Sequence, residues 1–422
     1  MSILSWVAIA VIIVTVWALI KRYETRLVLI TAGLFLCCIS LAPMQGLNAF
    51  ASSMTKSALI MAICGSMGFA FTASYTQCDR SLVYYLATPI RGLGIFLLPV
   101  CTAITFFVNI AIPSAAGCAA AVGSTLIPVM LRAGIKPAAA AAAVLGGTIG
   151  SYLSPGTSHN PYVAKMAEMD IMDFIGFHAP YSFMCGAILV FGILIAAFLY
   201  GDHKGDTNAK VDESKLQKQD DFTPNPLKAL VPLVPIFILV VGNLWVPAIK
   251  MGVAQAMLVG AIIALVISRA NPQDFTKQFF AGMGKGYADV MGIIIAAGVF
   301  AAGLRTSGLI DAAIAALKDS NEFARWGASI GPWLMGIITG SGDAATLAFN
   351  ETVTPHAQEF GMSIHGLGGL AFLCGALGRT MSPLAGVTIL VSGIAMVSPF
   401  EVIKRTAPAC FVAVVACALL MV

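Results

Sequence analysis

Apolar runs succeed one another along the chain at about residues 3–20, 27–44, 57–74, 92–112, 138–153 and 181–200. A second series follows at about 229–247, 251–268, 288–304, 326–340, 366–381 and 407–422. The runs are continuous and do not alternate, which marks helices and not strands. A membrane-crossing helix needs ~20 apolar residues, so the pattern predicts an all-α integral membrane protein with about 11–12 transmembrane helices. The first run, ILSWVAIAVIIVTVWALI, leads into KRYETR without a small-residue cleavage site and reads as a retained helix, not a signal peptide. One stretch, GDHKGDTNAKVDESKLQKQDDFTPNPLK at 201–228, carries both signs of charge and ends in prolines, as a polar linker does. It divides the chain into halves, 1–200 and 229–422.

The halves resemble each other in one register. GSYLSP (Gly150–Pro155) is answered by GRTMSP (Gly378–Pro383), and Ala179-Pro180 by Ala407-Pro408, both 228 residues on. MTKS at Met54 is answered by MGKG at Met283, and IPSAAG at Ile112 by TGSGDA at Thr339. This predicts two structurally repeated halves. Paired halves with a midplane site are common in secondary transporters, usually inverted. Six crossings per half would leave them parallel, so inversion requires that one marked segment does not cross by itself; the 229–268 region is the suspect.

Each half has two polar interruptions at membrane depth. Pro113-Ser114-Ala115-Ala116-Gly117 and Thr339-Gly340-Ser341-Gly342-Asp343 are flanked by small residues, which admit a tight reversal and close helix approach. They predict re-entrant helical hairpins at about 113–131 and 340–359, since irregular backbone at depth is tolerated where it lines a cavity. The second pair follows Ser154-Pro155 and Ser382-Pro383. Proline removes a backbone donor and clashes with the carbonyl four residues back, so helices broken within about 138–166 and 366–396 are expected. A broken helix exposes a new N-terminus, whose free N–H groups and dipole favour an anion. Ser114, Gly117, Ser154, Thr157, Ser158, His159, Asn160, Ser341, Gly342, Thr380, Ser382 and Thr388 are therefore the candidate substrate contacts.

Charge narrows the reading further. Only 10% of residues are charged, against roughly a quarter in a soluble domain. Intramembrane charges are functional by default. Arg379 can grip a substrate carboxylate bidentately or neutralise Asp343 or Glu351; Asp289 and Arg305 are further charges at depth. Asp343 and His159 are the coupling-ion candidates, for H+ or Na+, and His159 can alternatively be a structural hydrogen-bonding residue. The net charge of +4 gives no sign of nucleic acid as a partner. Ten cysteines without a CxxC pair read as small core residues, with neither a disulfide framework nor a metal site. No GxSxG, HExxH, Walker or dinucleotide motif is present. Ser158-His159 is the one hint of a hydrolase, and adjacent side chains on one backbone point apart. No cofactor and no enzymatic activity are expected.

ITGSGDAATLAFNETVTPHA and LGRTMSPLAGVTILVSGIAMVSPFEVIKRT, with GVFAAGLRTSGLI and the first-half PSAAG…TLIPVML…LSP, resemble the DcuC family of anaerobic C4-dicarboxylate carriers, within the elevator-type ion transporters. The resemblance covers nearly the whole chain. It implies an inner-membrane carrier of succinate, fumarate or malate, an exchanger or an ion-coupled carrier, forming a homodimer. It places the family's site on Ser114, Gly117, Ser154, Thr157, Asn160, Ser341, Thr380 and Ser382. A carrier of the same architecture for another small organic anion or an amino acid is the alternative.

Overall fold

The computed structural model describes residues 3–21, 23–90, 93–203, 222–310, 312 and 321–421. Most of the expected polar linker, 204–221, lies outside the described residues. The first half contains α1 (Ile3–Ile20), α2 (Thr25–Ile39), α3 (Pro43–Met54), α4 (Ser57–Tyr75), α5 (Cys78–Ala87), α6 (Leu97–Ala111), α7 (Ala115–Arg132), α8 (Pro137–Gly147), α9 (His159–Met166) and α10 (Ile171–Leu199). The second contains α11 (Pro226–Leu230), α12 (Val234–Leu244), α13 (Val253–Ser268), α14 (Pro272–Gly286), α15 (Gly292–Thr306), α16 (Asn321–Thr339), α17 (Gly342–Thr352), α18 (Ile364–Thr380), α19 (Gly386–Ala395) and α20 (Pro399–Leu420). Among the described residues, seven helices are long and apolar enough to cross a membrane, and five shorter apolar helices accompany them. The expected all-α membrane fold is what forms.

Punctuation in the sequence becomes geometry. Ser114 caps α7 by accepting from Gly117 N–H at 3.2 Å, and Ser341 caps α17 by accepting from Ala344 N–H at 3.3 Å. These caps begin second arms, not whole hairpins. The helices on either side of each turn pack together, α6 with α7 around Ile112–Ser114 and α16 with α17 around Gly340-Ser341. The polar punctuation marks the tip, while the apolar run before it reads from sequence as an ordinary spanning helix. Helical structure is interrupted between α8 and α9 and between α18 and α19.

Corresponding helices begin at a near-constant spacing: α7, α8, α9 and α10 at 115, 137, 159 and 171, and α17, α18, α19 and α20 at 342, 364, 386 and 399. The long helices α10 and α20 lie antiparallel. Arg405, early in α20, makes a bidentate pair with Asp202 just beyond the end of α10, both bonds 3.0 Å. Further along α20, Ala409 meets Gly192, and then Cys417 faces Cys185 at 3.3 Å. All ten cysteines are free and nine are buried; Cys38, which sits in an apolar run, is exposed and Cys78 is buried.

Gly150 and Gly378 open the two matched motifs, and each lies directly against a hairpin first arm. A Cβ on Gly150 would collide with the Phe106 carbonyl, and one on Gly378 with the Trp333 carbonyl. Backbone cannot retreat as a flexible side chain can, so Gly150→Ala and Gly378→Ala are each expected to cost about 3 kcal/mol. A fall in thermal stability and monodisperse yield in detergent checks this; wild-type melting of both variants would refute the close approach.

The apolar core divides into bodies. The largest cluster runs from Val83 to Ala197 and from Ala328 to Met421, drawing on both hairpins, α8, α10, α18, α19 and α20; α9 packs in a smaller cluster, where Tyr162 and Val163 meet Ile63 of α4, Ile294 of α15 and Leu347 of α17. Separate clusters unite α4 with α12 and α13, and α1 and α2 with α15. α14 and α15 join through a π-helical turn, Tyr287–Met291, a device found mostly at functional sites.

Candidate functional site

A cavity of about 390 Å³ opens where the bodies meet. The large body supplies Ser114, Ala115 and Ala116 from the first tip, Ser341, Gly342 and Asp343 from the second, Thr157 and Ser158 from the first break, and Ala385, Gly386 and Val387 from the second. Arg379, Ser151, Tyr152 and Phe372 complete that side, and Ile63, Met67, Lys285, Asp289 and Val290 close the other. Four helix N-termini (α7, α9, α17 and α19) therefore converge on one space. The first N–H groups of each have no intrahelical acceptor, and the dipoles sum toward positive potential.

Arg379 is fixed by uncharged partners, with no salt bridge among the described residues. Its Nη2 donates to the Thr148 carbonyl and to Thr148 Oγ1, both at 3.2 Å. No carboxylate among the described residues pairs with it: Glu351 takes Lys56 through both oxygens at 3.1 Å, and Asp343 takes His159 at 3.0 Å. Between the alternatives for Arg379, the geometry removes neutralisation of Glu351 and leaves the guanidinium facing the cavity. Arg379 Nε, the Tyr152 hydroxyl and His159 Nδ1 are buried with no hydrogen-bond partner among the described residues. Leaving such groups unpaired costs about 1–3 kcal/mol each, a cost that a polar ligand relieves.

His159 is 2% exposed while Asp343 is 57% exposed, so the carboxylate looks into the cavity and the imidazole backs it from behind. The ring stacks on Phe372 with centroids 4.6 Å apart. With its second proton the imidazole forms an ion pair with Asp343; with one proton it forms a neutral-donor hydrogen bond. On the facing body Lys285 and Asp289 pair across the π turn at 2.5 Å.

Other predicted residues serve the frame. Gly117 lines an adjoining cavity that shares Ser114 and Lys285. Ser154 and Ser382 are buried, and their hydroxyls accept from Gly156 and Leu384 N–H within their own turns. Asn160 donates 2.8 Å bonds to the Tyr152 and Ser154 carbonyls, and its Oδ1 lies 3.1 Å from His178 Nε2. Thr380 bonds back to the Ala376 carbonyl, and Thr388 is fully buried. Ser154, Ser382 and Asn160 thus satisfy carbonyls and amides that the breaks release, whereas the Thr388 hydroxyl has no hydrogen-bond partner among the described residues. The support is matched across the halves: the Tyr152 carbonyl is held from His178 through Asn160, and the Thr380 carbonyl directly by Thr406 Oγ1 at 3.0 Å.

Three contributors carry no local signal in the sequence. Asn109 ties the first tip to the first break, donating to the Ile112 carbonyl at 2.9 Å and accepting from Ser151 N–H at 2.7 Å. Phe372 stacks in mid-helix, and Lys285 arrives from the other body. The MTKS–MGKG correspondence does include Lys285, but as a repeat mark only.

An all-helical membrane chain with helix N-termini converging on a polar cavity has the build of a membrane transporter. Comparison with known proteins makes this specific. The family model for the C4-dicarboxylate anaerobic carrier, DcuC, matches residues 44–422. A Haemophilus influenzae protein described as an uncharacterized transporter is 50% identical over 279 residues, 64% of this chain and 99% of that one. The anaerobic C4-dicarboxylate transporter DcuC of Escherichia coli K12 is 28% identical over 361 residues, 82% of this chain and 76% of its own. In structure, the YdaH transporter of Alcanivorax borkumensis aligns with a TM-score of 0.59 at 15% identity, covering 89% of this chain and 86% of that one, a likeness of fold. The chain belongs to the DcuC family. It is a multi-pass bacterial inner-membrane transporter and not an enzyme.

Proposed function

We propose that this transporter carries C4-dicarboxylates such as succinate, fumarate and malate, by elevator-type alternating access in which a body drawn from both halves of an inverted repeat moves against the rest. One observation carries the reading: four helix N-termini and an arginine with no carboxylate partner converge on a single cavity at the boundary between packed bodies. Backbone N–H groups and Arg379 replace the hydration of one carboxylate. Lys285 faces the other from the opposite body. The antiparallel course of α10 and α20, the 227- or 228-residue spacing of helix starts and the paired glycine contacts support inversion. The body holding both hairpins and both breaks is the element that moves, with α1–α4 and α12–α15 as its track. The homodimer belongs to the same reading. His159–Asp343 supports H+ as the coupling ion, because the pair changes charge by holding or releasing one proton in contact with the cavity.

Uptake of labelled succinate into proteoliposomes tests this. Fumarate and malate should compete and butyrate should not. Lys285→Gln should weaken succinate about tenfold, the loss of one charge-assisted contact. Absence of succinate uptake with or without internal succinate, pH gradient or Na+ gradient would overturn the assignment.

A further inference from the structure

A second cavity, about 510 Å³, lies away from the hairpin tips, where α4, α9, α15 and the end of α17 meet. Lys56, Lys165, Arg305 and Glu351 line it, so its charged wall carries three cations against one anion. Glu351 is already answered by Lys56. Arg305 spends Nη2 on the Glu351 backbone carbonyl at 3.2 Å, which leaves it further donors, and Lys165 makes no ion pair among the described residues. Behind the cations stands Tyr162, 4% exposed, its hydroxyl buried without a hydrogen-bond partner among the described residues. Its ring lies 5.6 Å beneath Lys56. A surface that merely solvates charge has no need of a buried, unpaired phenol.

We infer that this cavity is a second binding site for the transported dicarboxylate, with Lys165 and Arg305 taking its carboxylates and the Tyr162 hydroxyl donating to one of them. The match is one of charge and size. The lining carries a net +2, a C4-dicarboxylate carries −2, and the space exceeds that of the central cavity. Its walls come from both sides of the boundary: Lys165 and Glu351 stand on the hairpin-bearing body, Lys56 and Arg305 on the facing elements. A dianion held there is concentrated beside the joint along which the body is proposed to travel. The inference rests on the dicarboxylate reading above and adds a site to it.

Equilibrium binding of labelled succinate to the full-length protein in phosphatidylcholine nanodiscs tests it. Wild type should bind two succinates per chain. Arg379→Gln should leave only the second site, Lys165→Gln/Arg305→Gln only the central one, and the combined variant neither. Lys165→Arg/Arg305→Lys keeps the charges and should keep two sites, which separates loss of the site from loss of the fold. One succinate per wild-type chain, unchanged by Lys165→Gln/Arg305→Gln, would overturn the second site and leave the transport reading standing. No succinate bound by wild type would overturn both. If phosphatidylglycerol in the disc displaces the second succinate, a lipid headgroup is the occupant and the assignment to soluble cargo falls.

Discussion

Arg379→Gln is expected to weaken succinate binding by about two to four orders of magnitude, with the protein still folded. The estimate follows from two charge-assisted hydrogen bonds at about 1.5–3 kcal/mol each, with about 1.4 kcal/mol per tenfold in affinity. Glutamine ends where the guanidinium begins, so the Thr148 bonds are lost as well, and thermal stability in detergent is measured alongside binding to separate loss of the anchor from loss of the frame. Arg379→Lys separates charge from shape. It retains the cation but not the planar fork, and one lost contact of that kind corresponds to about a tenfold loss. Equilibrium binding for both variants, with uptake as a second readout, checks the order wild type, then Lys, then Gln. Undiminished binding by Arg379→Gln would mean that the guanidinium serves only Thr148 and the α8–α18 contact, and the cavity would lose its main anchor.

The positions of the tips and breaks were legible because each is a failure of helical periodicity. Proline, glycine and hydroxyl residues interrupt runs that have no other reason to carry them. Direction was not legible. Gly150/Gly378 and Ala179-Pro180/Ala407-Pro408 announce two related halves, but whether α10 and α20 run together or oppositely appears only where Arg405 reaches Asp202. The function of individual break residues was half legible. Inside a break no period assigns faces, so Thr157 and Ser158 could not be told from Asn160, Ser382 and Thr388; the former pair lines the cavity, Asn160 and Ser382 hold the frame, and Thr388 is buried with its hydroxyl unpaired among the described residues. Lys285 was legible only as a repeat mark, since the facing body that brings it to Arg379 is set by tertiary packing. The packing of α6 against α7 was illegible for a related reason: α6 is as apolar as a spanning helix, and nothing within its sequence states that the helix after Pro113 packs back on it.

Asp343→Asn is expected to uncouple transport from a proton gradient while succinate exchange continues. The carboxylate faces the same cavity as the cargo. Like charges about 5 Å apart repel by about 3 kcal/mol at an effective dielectric constant of about 20. A second proton on His159 offsets that repulsion, so the dianion binds best to the protonated pair and the two bindings reinforce each other. Asparagine removes the repulsion and with it the need for the proton. Binding by the variant should match or exceed wild type at neutral pH and lose its pH dependence. His159→Gln should act in the opposite direction. It keeps a donor toward Asp343 but cannot take up a proton, so the carboxylate stays uncompensated and succinate binds less well at every pH. Counterflow and gradient-driven uptake, measured side by side in proteoliposomes, distinguish the two. Full proton-driven uptake by Asp343→Asn would remove the pair from coupling. Wild-type uptake driven by Na+ alone, and lost in Asp343→Asn, would make the carboxylate a cation ligand instead of a proton-linked counter-charge.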